Sequence, residues 1–156
     1  MRLKFHPSKI LRKQCRPIVD LTPKHKEKIH KMLELMNEHD GIGIAAPQLG
    51  WNARVFVMNI IQKPGHDLVF INPEIIETSG DIVEYPEGCL SLPGVVGIVD
   101  RPQKVIMRAT NLCGEEFTFV DDALAARCAM HELDHLSGVL MIDRAKRIYR
   151  GVDDSL

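Results

Sequence analysis

The chain is organised around an H-E-x-x-H motif, His131-Glu132-Leu133-Asp134-His135. On a helix, two histidines four residues apart lie on one face, close enough to share a metal ion, and the glutamate lies beside that face. A hydrolytic metal site needs three protein ligands and an open position for water, whereas a structural site closes with four. The motif therefore predicts a catalytic metal site whose third ligand comes from elsewhere.

The residues around the motif are typical of a complete helix. Asp121 and Asp122 predict an N-cap and an acidic first turn, and residues 123–126 favour helix. Gly138 occupies a position typical of a C-cap. A stripe at i, i+4, i+7 and i+11 spacing runs along this helix and consists of Leu124, Cys128, His131 and His135. These features favour a metal site over two ordinary histidines.

Length and composition limit the remaining choices. The chain has 156 residues, 45% of them hydrophobic, which predicts a single catalytic domain over residues 1–156. Its 20 basic and 21 acidic side chains nearly cancel, so no direct nucleic-acid binding is expected. Residues 1–10 lack the apolar core of a secretory signal, and no run approaches the length of a membrane span. We therefore expect no membrane binding and a cytoplasmic location, with the four cysteines unpaired.

The rest of the chain predicts one helix followed by strands. Thr22-Pro23 begins an amphipathic helix that ends near Gly41 and buries Ile29, Met32, Leu33 and Met36. Four strands are predicted, Val55–Met58, Leu68–Ile71, Val105–Met107 and Glu116–Val120, with turns at 64–65, 72–73, 79–80 and 111–114. The fold class is therefore α+β: an N-terminal helix, mostly antiparallel strands, and a central C-terminal metal-binding helix that carries H-E-x-x-H.

The third metal ligand is not decided by the motif itself. The candidates after His135 are Asp143, Asp153 and Asp154, in a tail of 21 residues that has no room for the usual downstream ligand helix. Upstream, residues 87–94 (EGCLSLPG) predict a turn that presents one thiol, Cys89. Taken alone, a cysteine of this kind is more often a small buried residue than a ligand. Both interpretations stay open at this point.

A glycine-rich segment, residues 41–50 (GIGIAAPQLG), has side chains that are too small for a core. It lacks the Lys-Ser/Thr pair of a phosphate-binding loop. One interpretation is a helix terminator followed by a tight turn. The other is a wall that a substrate backbone approaches closely, where Gln48 offers an amide donor to a developing oxyanion.

Taken together and in this order, three segments resemble the signature of peptide deformylase: residues 41–48 (GIGIAAPQ), 87–91 (EGCLS) and 131–135 (HELDH). That family removes the N-formyl group from the N-terminal formylmethionine of newly synthesised proteins and releases formate. The resemblance covers nearly the whole chain. It departs from the family pattern at Met130, where many members have Gln, and at Val96, where some have Arg.

The resemblance implies a role for each site residue. The metal ligands would be Cys89, His131 and His135. Glu132 would be the general base and acid, and Gln48 with the backbone N–H of Leu90 would form the oxyanion site. Gly43 and Gly88 would flank the substrate backbone. The pocket for the first side chain would be surrounded by Gly41, Ile42, Tyr85, Glu87, Leu124, Arg127 and Cys128.

The same resemblance implies one divalent metal per chain and favours Fe²⁺. Two imidazoles and a thiolate also suit Zn²⁺, Ni²⁺ and Co²⁺. The implied substrates are N-formyl-Met nascent peptides. Longer members continue into a C-terminal helix used at the ribosome, whereas a short basic stretch follows Ile142 here, so at most a weak ribosome contact is expected.

Two other functions stay open as alternatives. A zinc aminopeptidase or endoprotease of the H-E-x-x-H class would use the same motif but needs a later Glu or His ligand. A non-catalytic domain stabilised by metal would have no need of Glu132.

Overall fold

The computed structural model describes residues 1–151. Its helices are α1 (Pro23–Glu38), α2 (Ala123–His135) and α3 (Met141–Arg144), with 3₁₀ turns at Lys9–Arg12 and Ala46–Leu49. Its strands are β1 (Gly43–Ala45), β2 (Val55–Met58), β3 (Leu68–Glu87), β4 (Val95–Thr110), β5 (Glu116–Asp122) and β6 (Arg147–Arg150).

All six strands join one antiparallel sheet. The order is β1-β2-β3-β4-β5, and β6 pairs with the first part of β4. The long β3–β4 hairpin pairs Glu87 with Gly97, so the loop that carries residues 88–94 emerges at the end of two fixed strands. The predicted α+β class with mostly antiparallel strands is confirmed.

Helix α1 begins as its sequence predicts. The Thr22 hydroxyl accepts a hydrogen bond from the His25 N–H (3.3 Å), and His25 Nδ1 accepts one from the Thr22 N–H (3.1 Å). Pro23 occupies the first turn, where its missing N–H costs nothing. The buried face differs by one position from the predicted stripe, because Leu35 is buried and Leu33 is only half-buried.

Helix α2 begins differently from the prediction. Asp122 is the N-cap residue, but its side chain makes no capping bond and the first turn holds no acid. Asp121 Oδ1 instead accepts a hydrogen bond from the Asp122 N–H at 2.8 Å. The predicted end is confirmed. Gly138 has φ +72°, its N–H donates to the His135 carbonyl, and the Val139 N–H donates to the Asp134 carbonyl, which closes the helix.

Two predicted turns are wrong. Residues 72–73 and 79–80 lie inside β3, where register shifts between Ile71 and Glu74 and between Ser79 and Ile82 form bulges against β4. Gly80, at φ +79°, supplies the backbone conformation that the second bulge needs. One long strand therefore replaces a short strand and two turns, because pairing with β4 overrides the local turn signals.

The segment 41–50 is not a coreless loop. It contains β1 and the 3₁₀ turn, and its buried side chains are those of Ile44, Ala45, Ala46, Pro47, Gln48 and Leu49. The tail after His135 forms α3 and β6, two elements that the sequence did not predict.

One cluster of buried residues lies between α2 and the sheet, and a second packs α1 against β1 and β2. Phe56 and Phe70 stack with ring centroids 4.4 Å apart, and Phe119 meets Phe70 edge-on at 5.2 Å. Helix α2 contacts β1, β2, β4 and β5, so its motif face is held at a fixed height above the strands. No helix within residues 1–151 is long and apolar enough to cross a membrane. All four cysteines carry free thiols.

Candidate active site

The structure brings one thiol and two imidazoles together. Cys89 comes from the β3–β4 loop, and His131 and His135 come from α2. Their ligand atoms all lie within 4.8 Å of one another, and Cys89 Sγ is 3.5 Å from His135 Nε2. This is a set of one soft sulfur and two nitrogen donors, which suits a first-row transition metal.

A buried carboxylate orients the first histidine. Glu87 Oε1 lies 2.8 Å from His131 Nδ1, which leaves the other ring nitrogen for the metal-binding side. Arg101 donates two hydrogen bonds to the same carboxylate, from Nε (2.6 Å) and from the NH2 group (3.0 Å). Burial raises the pKa of Glu87, but the bonds from His131 and Arg101 outweigh it and hold this pKa well below its usual range. Glu87 therefore stays ionised.

The carboxylate of Glu87 and the guanidinium of Arg127 therefore stabilise the site through hydrogen bonds. Both residues line the cavity as predicted, yet Arg127 donates to Glu87 Oε2 (2.7 Å) and to the backbone carbonyls of Val99 and Val83 (3.0 and 2.6 Å). The polar groups of Glu87 and Arg127 are committed to each other, to His131 and Arg101, and to backbone carbonyls. Their contribution to a side-chain pocket is the surface of their carbon stems.

Two buried polar atoms have no hydrogen-bond partner in residues 1–151: Glu132 Oε2 and His135 Nδ1. Buried polar atoms are nearly always paired, so unpaired ones beside a thiol indicate a site that a ligand completes. The donor set and these atoms fit a bound metal with a proton-transferring carboxylate next to it.

Glu132 is buried, with 4% of its surface exposed. Burial raises its pKa to about 7; the charge on His131 opposes this shift and the charge on Glu87 adds to it. A carboxylate in this environment is suited to accept and return a proton near neutral pH.

Gln48 is positioned by the 3₁₀ turn after β1. Its Oε1 accepts a hydrogen bond from the Ala45 N–H at 2.9 Å. Its Nε2 donates to Ser91 Oγ at 3.2 Å and lies 3.5 Å from Cys89 Sγ. The amide nitrogen of Gln48 thus faces the cysteine side of the candidate metal site.

These groups open onto a cavity of about 560 Å³. Within it lie the predicted residues Gly41, Ile42, Gly43, Gln48, Tyr85, Glu87, Gly88, Cys89, Leu90, Leu124, Arg127, Cys128, His131 and Glu132. Tyr85 and Leu124 are about half exposed and lie at its rim, whereas Cys128 is buried. His135 lies next to the cavity without lining it. The wall also includes His39, Asp40, Pro86 and Pro93, which the sequence did not indicate.

The backbone of Gly43 lies close to the side chains of Cys128 and Glu132 in the wall of this cavity. A Cβ there would lie 2.8 Å from Cys128 Sγ and 3.0 Å from Glu132 Oε1. We expect Gly43→Ala to displace the Glu132 carboxylate and to lower kcat by about tenfold or more, since misplacement of a catalytic group by about 1 Å has a large effect.

Gly88→Ala is the comparison, because a Cβ at Gly88 meets nothing within 4 Å. It should change KM more than kcat, because it enters the open cavity. Steady-state kinetics with a formylated peptide, the substrate that the resemblance implies, separates the two results. An unchanged kcat for Gly43→Ala would contradict the close contact with Glu132.

The N-terminal segment supports the site in a way that sequence reasoning missed. The Lys4 N–H donates to the Gln48 carbonyl (2.7 Å), the His6 N–H to the Ser91 carbonyl (2.9 Å), and the Cys15 N–H to the Leu136 carbonyl (2.8 Å). Residues 4–15 therefore bind the first two motif segments and the residue that directly follows the third. These bonds use backbone N–H groups and carry no residue signature, so no sequence pattern marks them.

Arg101 and Asp134 were also missed as supporting residues. The Arg101 NH1 group donates to Asp134 Oδ2 at 3.0 Å, and Arg144 Nε donates to the same oxygen at 2.6 Å. The sequence signal that could have indicated Asp134 was its position inside the H-E-x-x-H motif. The partner Arg101 lies on β4, 33 residues away, and only the fold brings it close.

The downstream candidates for the third ligand are not part of the donor cluster. Asp143 is held by Arg12, with Oδ2 2.5 Å from NH1, and by the Leu140 N–H at 2.9 Å. Asp153 and Asp154 lie outside the described residues.

Comparison with known proteins decides the family. The polypeptide deformylase family model matches residues 2–151. The chain belongs to the polypeptide deformylase family. A peptide deformylase from Clostridium botulinum (strain Alaska E43 / Type E3) is 47% identical over 138 residues, which is 88% of this chain and 91% of that protein. The family expected from the three segments is confirmed.

Solved structures agree with this assignment. A peptide deformylase from Synechococcus elongatus, in complex with actinonin, matches with TM-score 0.89 and 38% identity, over 94% of this chain and 79% of that one. A peptide deformylase from Thermotoga maritima matches with TM-score 0.88 and 36% identity, over 94% and 97%. As a member of this metal-dependent family, the protein is a hydrolase that removes the N-formyl group from nascent peptides.

Proposed function

We propose that Cys89, His131 and His135 ligate one catalytic divalent metal, and that residues 1–156 act as a single deformylase domain. The observation that carries this proposal is the cluster of their three ligand atoms within 4.8 Å, beside the unpaired carboxylate oxygen of Glu132. When bound, the metal supplies Lewis acidity, which lowers the pKa of a water molecule and polarises a carbonyl group.

Fe²⁺ is the ion that we propose, with Zn²⁺, Ni²⁺ and Co²⁺ as substitutes. The donor set supports a transition metal in general, because one thiolate and two imidazoles are compatible with each of these ions. The carboxylate of Glu87 on His131 Nδ1 strengthens the ring as a ligand whichever ion is bound.

Glu132 acts as the proton carrier in this proposal. Its carboxylate takes a proton from the attacking water, which adds its oxygen to the formyl carbon. The same side chain then delivers the proton to the amine nitrogen as the C–N bond breaks. The products are formate and a free N-terminus. Because Glu132 Oε2 has no hydrogen-bond partner in the described residues, no such bond holds this oxygen in one protonation state.

Gln48 and Leu90 stabilise the charge that develops on the formyl oxygen. The Gln48 amide nitrogen faces the cysteine side of the site, where it can donate to an oxyanion. In the described part of the chain no backbone carbonyl accepts from the Leu90 N–H, so this donor is available too. Two such donors suit the attack on an unactivated amide.

The substrate lies in the cavity between β1 and the β3–β4 loop. Gly43 and Gly88 are proposed to flank its backbone, since neither carries a side chain that would block the groove. The first side chain enters the pocket formed by Gly41, Ile42, Tyr85, Glu87, Leu124, Arg127 and Cys128. The apolar and sulfur surfaces of Ile42, Leu124 and Cys128 suit the flexible thioether of methionine.

The test is formate release from formyl-Met-Ala-Ser by protein prepared without oxygen and analysed for metal. We expect formate release in proportion to bound metal and no cleavage of Met-Ala-Ser. Cleavage of Met-Ala-Ser at a similar rate would contradict the proposal.

The protease alternative is not supported. It required a ligand downstream of His135, but Asp143 is bound to Arg12, and the third donor of the cluster is the upstream Cys89. The matching family model and the relatives described above are also those of deformylases.

We propose at most a weak contact with the ribosome. Three of the four basic side chains after Ile142 are engaged within the molecule: Arg144 binds Asp134 (2.6 Å), Lys146 binds Glu84 (2.5 Å) and Asp100 (3.1 Å), and Arg147 also binds Glu84. These ion pairs reduce the free positive charge of the tail.

Gln48→Ala tests the oxyanion role. Loss of one donor should lower kcat by roughly 10²- to 10³-fold, with KM and metal content little changed. Gln48→Glu should be worse, because a carboxylate places negative charge where negative charge develops. Turnover of formyl-Met-Ala-Ser by Gln48→Ala within about threefold of the parent would leave the oxyanion to Leu90 and the metal alone.

A further inference from the structure

Ser91 is a buried hydroxyl that the proposed chemistry does not use. Its side chain has no solvent exposure, and its Oγ accepts a hydrogen bond from Gln48 Nε2 at 3.2 Å. Its carbonyl is fixed by the His6 N–H at 2.9 Å. Ser91 therefore offers Gln48 an acceptor whose own position is set by the N-terminal segment.

Gln48 needs such an acceptor. Without Ser91, only one atom of its amide, Oε1, would be held by a hydrogen bond. The bond from the Ala45 N–H to Oε1 prevents a flip of the amide, since a flip would place the NH₂ group against another donor. This bond does not stop the amide from tilting about Oε1. The bond to Ser91 Oγ fixes the second atom.

The two hydrogens of the amide then have different partners. One is donated to Ser91 Oγ, and the other is donated to Cys89 Sγ, 3.5 Å from Nε2. Because sulfur is a weak acceptor, this second hydrogen can turn to a developing oxyanion beside the cysteine. A fixed donor needs no reorganisation at the moment of reaction.

We propose that Ser91 is a positioning residue that aims the second amide hydrogen of Gln48 at the oxyanion. This inference rests on the proposed oxyanion role of Gln48. Ser91 does not touch the substrate in this scheme. It acts through Gln48 alone, so its effect should disappear when Gln48 is absent.

A double-mutant cycle tests this dependence. Ser91→Ala should lower kcat by about tenfold, the effect of about one hydrogen bond, with KM and metal content unchanged. In the Gln48→Ala background the same change should lower kcat by less than about twofold. Ser91→Thr, which keeps the hydroxyl, should retain more activity than Ser91→Ala. Ser79→Ala, on the exposed part of β3, is the matched control and should change nothing.

The outcomes separate this inference from the proposed function. Equal losses of kcat in both backgrounds, loss of metal in Ser91→Ala, or an unchanged kcat in Ser91→Ala would each overturn the role of Ser91 while leaving that of Gln48 intact. An unchanged kcat in Gln48→Ala would overturn both. Thermal unfolding of each variant shows whether a loss of kcat comes from unfolding. The double-mutant cycle stays valid when the kcat values of all variants are compared at equal folded fractions.

Discussion

Glu132→Ala is expected to retain its metal and to lose formate release by at least roughly 10³-fold, because in the proposed function one carboxylate serves as both base and acid and each role contributes about 10²- to 10⁴-fold. The geometry supports a loss of formate release without a loss of metal binding. Glu132 is not a member of the donor cluster, and its Oε2 has no partner within residues 1–151. The cluster can therefore hold a metal without it.

Glu132→Gln is the sharper variant, since it keeps the size of the side chain in a buried position. It should fail in the same way, because an amide does not accept a proton at neutral pH. Glu77→Gln, on the exposed part of β3, is the control for the chemical change alone. Metal analysis and formate release are measured on the same samples. A near-normal rate, or loss of metal together with activity, would show that Glu132 has a different role.

Local signals in the sequence were sufficient for the elements whose determinants are close in sequence. Thr22 and Pro23 mark the start of α1, and Gly138 marks the end of α2, because caps depend on residues three to six apart. The two histidines of α2 share a face for the same reason. In β3, by contrast, pairing with β4 turned two predicted turns into bulges, and that pairing is non-local.

The candidate site shows the same division. His131, Glu132 and His135 follow from one motif, whereas Cys89 was one open candidate for the third ligand and was assigned as a ligand only through the resemblance of three segments. The sequence did not indicate the hydrogen bonds that hold these residues in place. Glu87 reaches His131 across 44 residues, and the N–H of His6 reaches the carbonyl of Ser91 across more than half the chain. A single sequence contains no periodic signal for such pairs.

Cys89→Ser is expected to weaken metal binding by at least about 100-fold, the upper range for loss of a supporting contact, because it removes a proposed ligand itself. A serine hydroxyl is a poor replacement for a thiolate that binds a transition metal. Competition with a chelator measures the affinity directly, and the absorption of the Co²⁺-loaded protein reports whether sulfur is bound.

The other three cysteines are controls with different surroundings. Cys15 is buried behind the site and Cys113 is exposed in the turn after β4, so a serine at either position should leave metal affinity within about threefold of the parent. Cys128 is the demanding control, because its buried sulfur lies beside Gly43 and lines the cavity without joining the donor cluster. Cys128→Ser should change KM and not the Co²⁺ spectrum. Equal metal loss in Cys89→Ser and Cys128→Ser would mean that the pocket as a whole holds the ion in place, and that the thiolate of Cys89 is not the ligand that the cluster of donor atoms assigns.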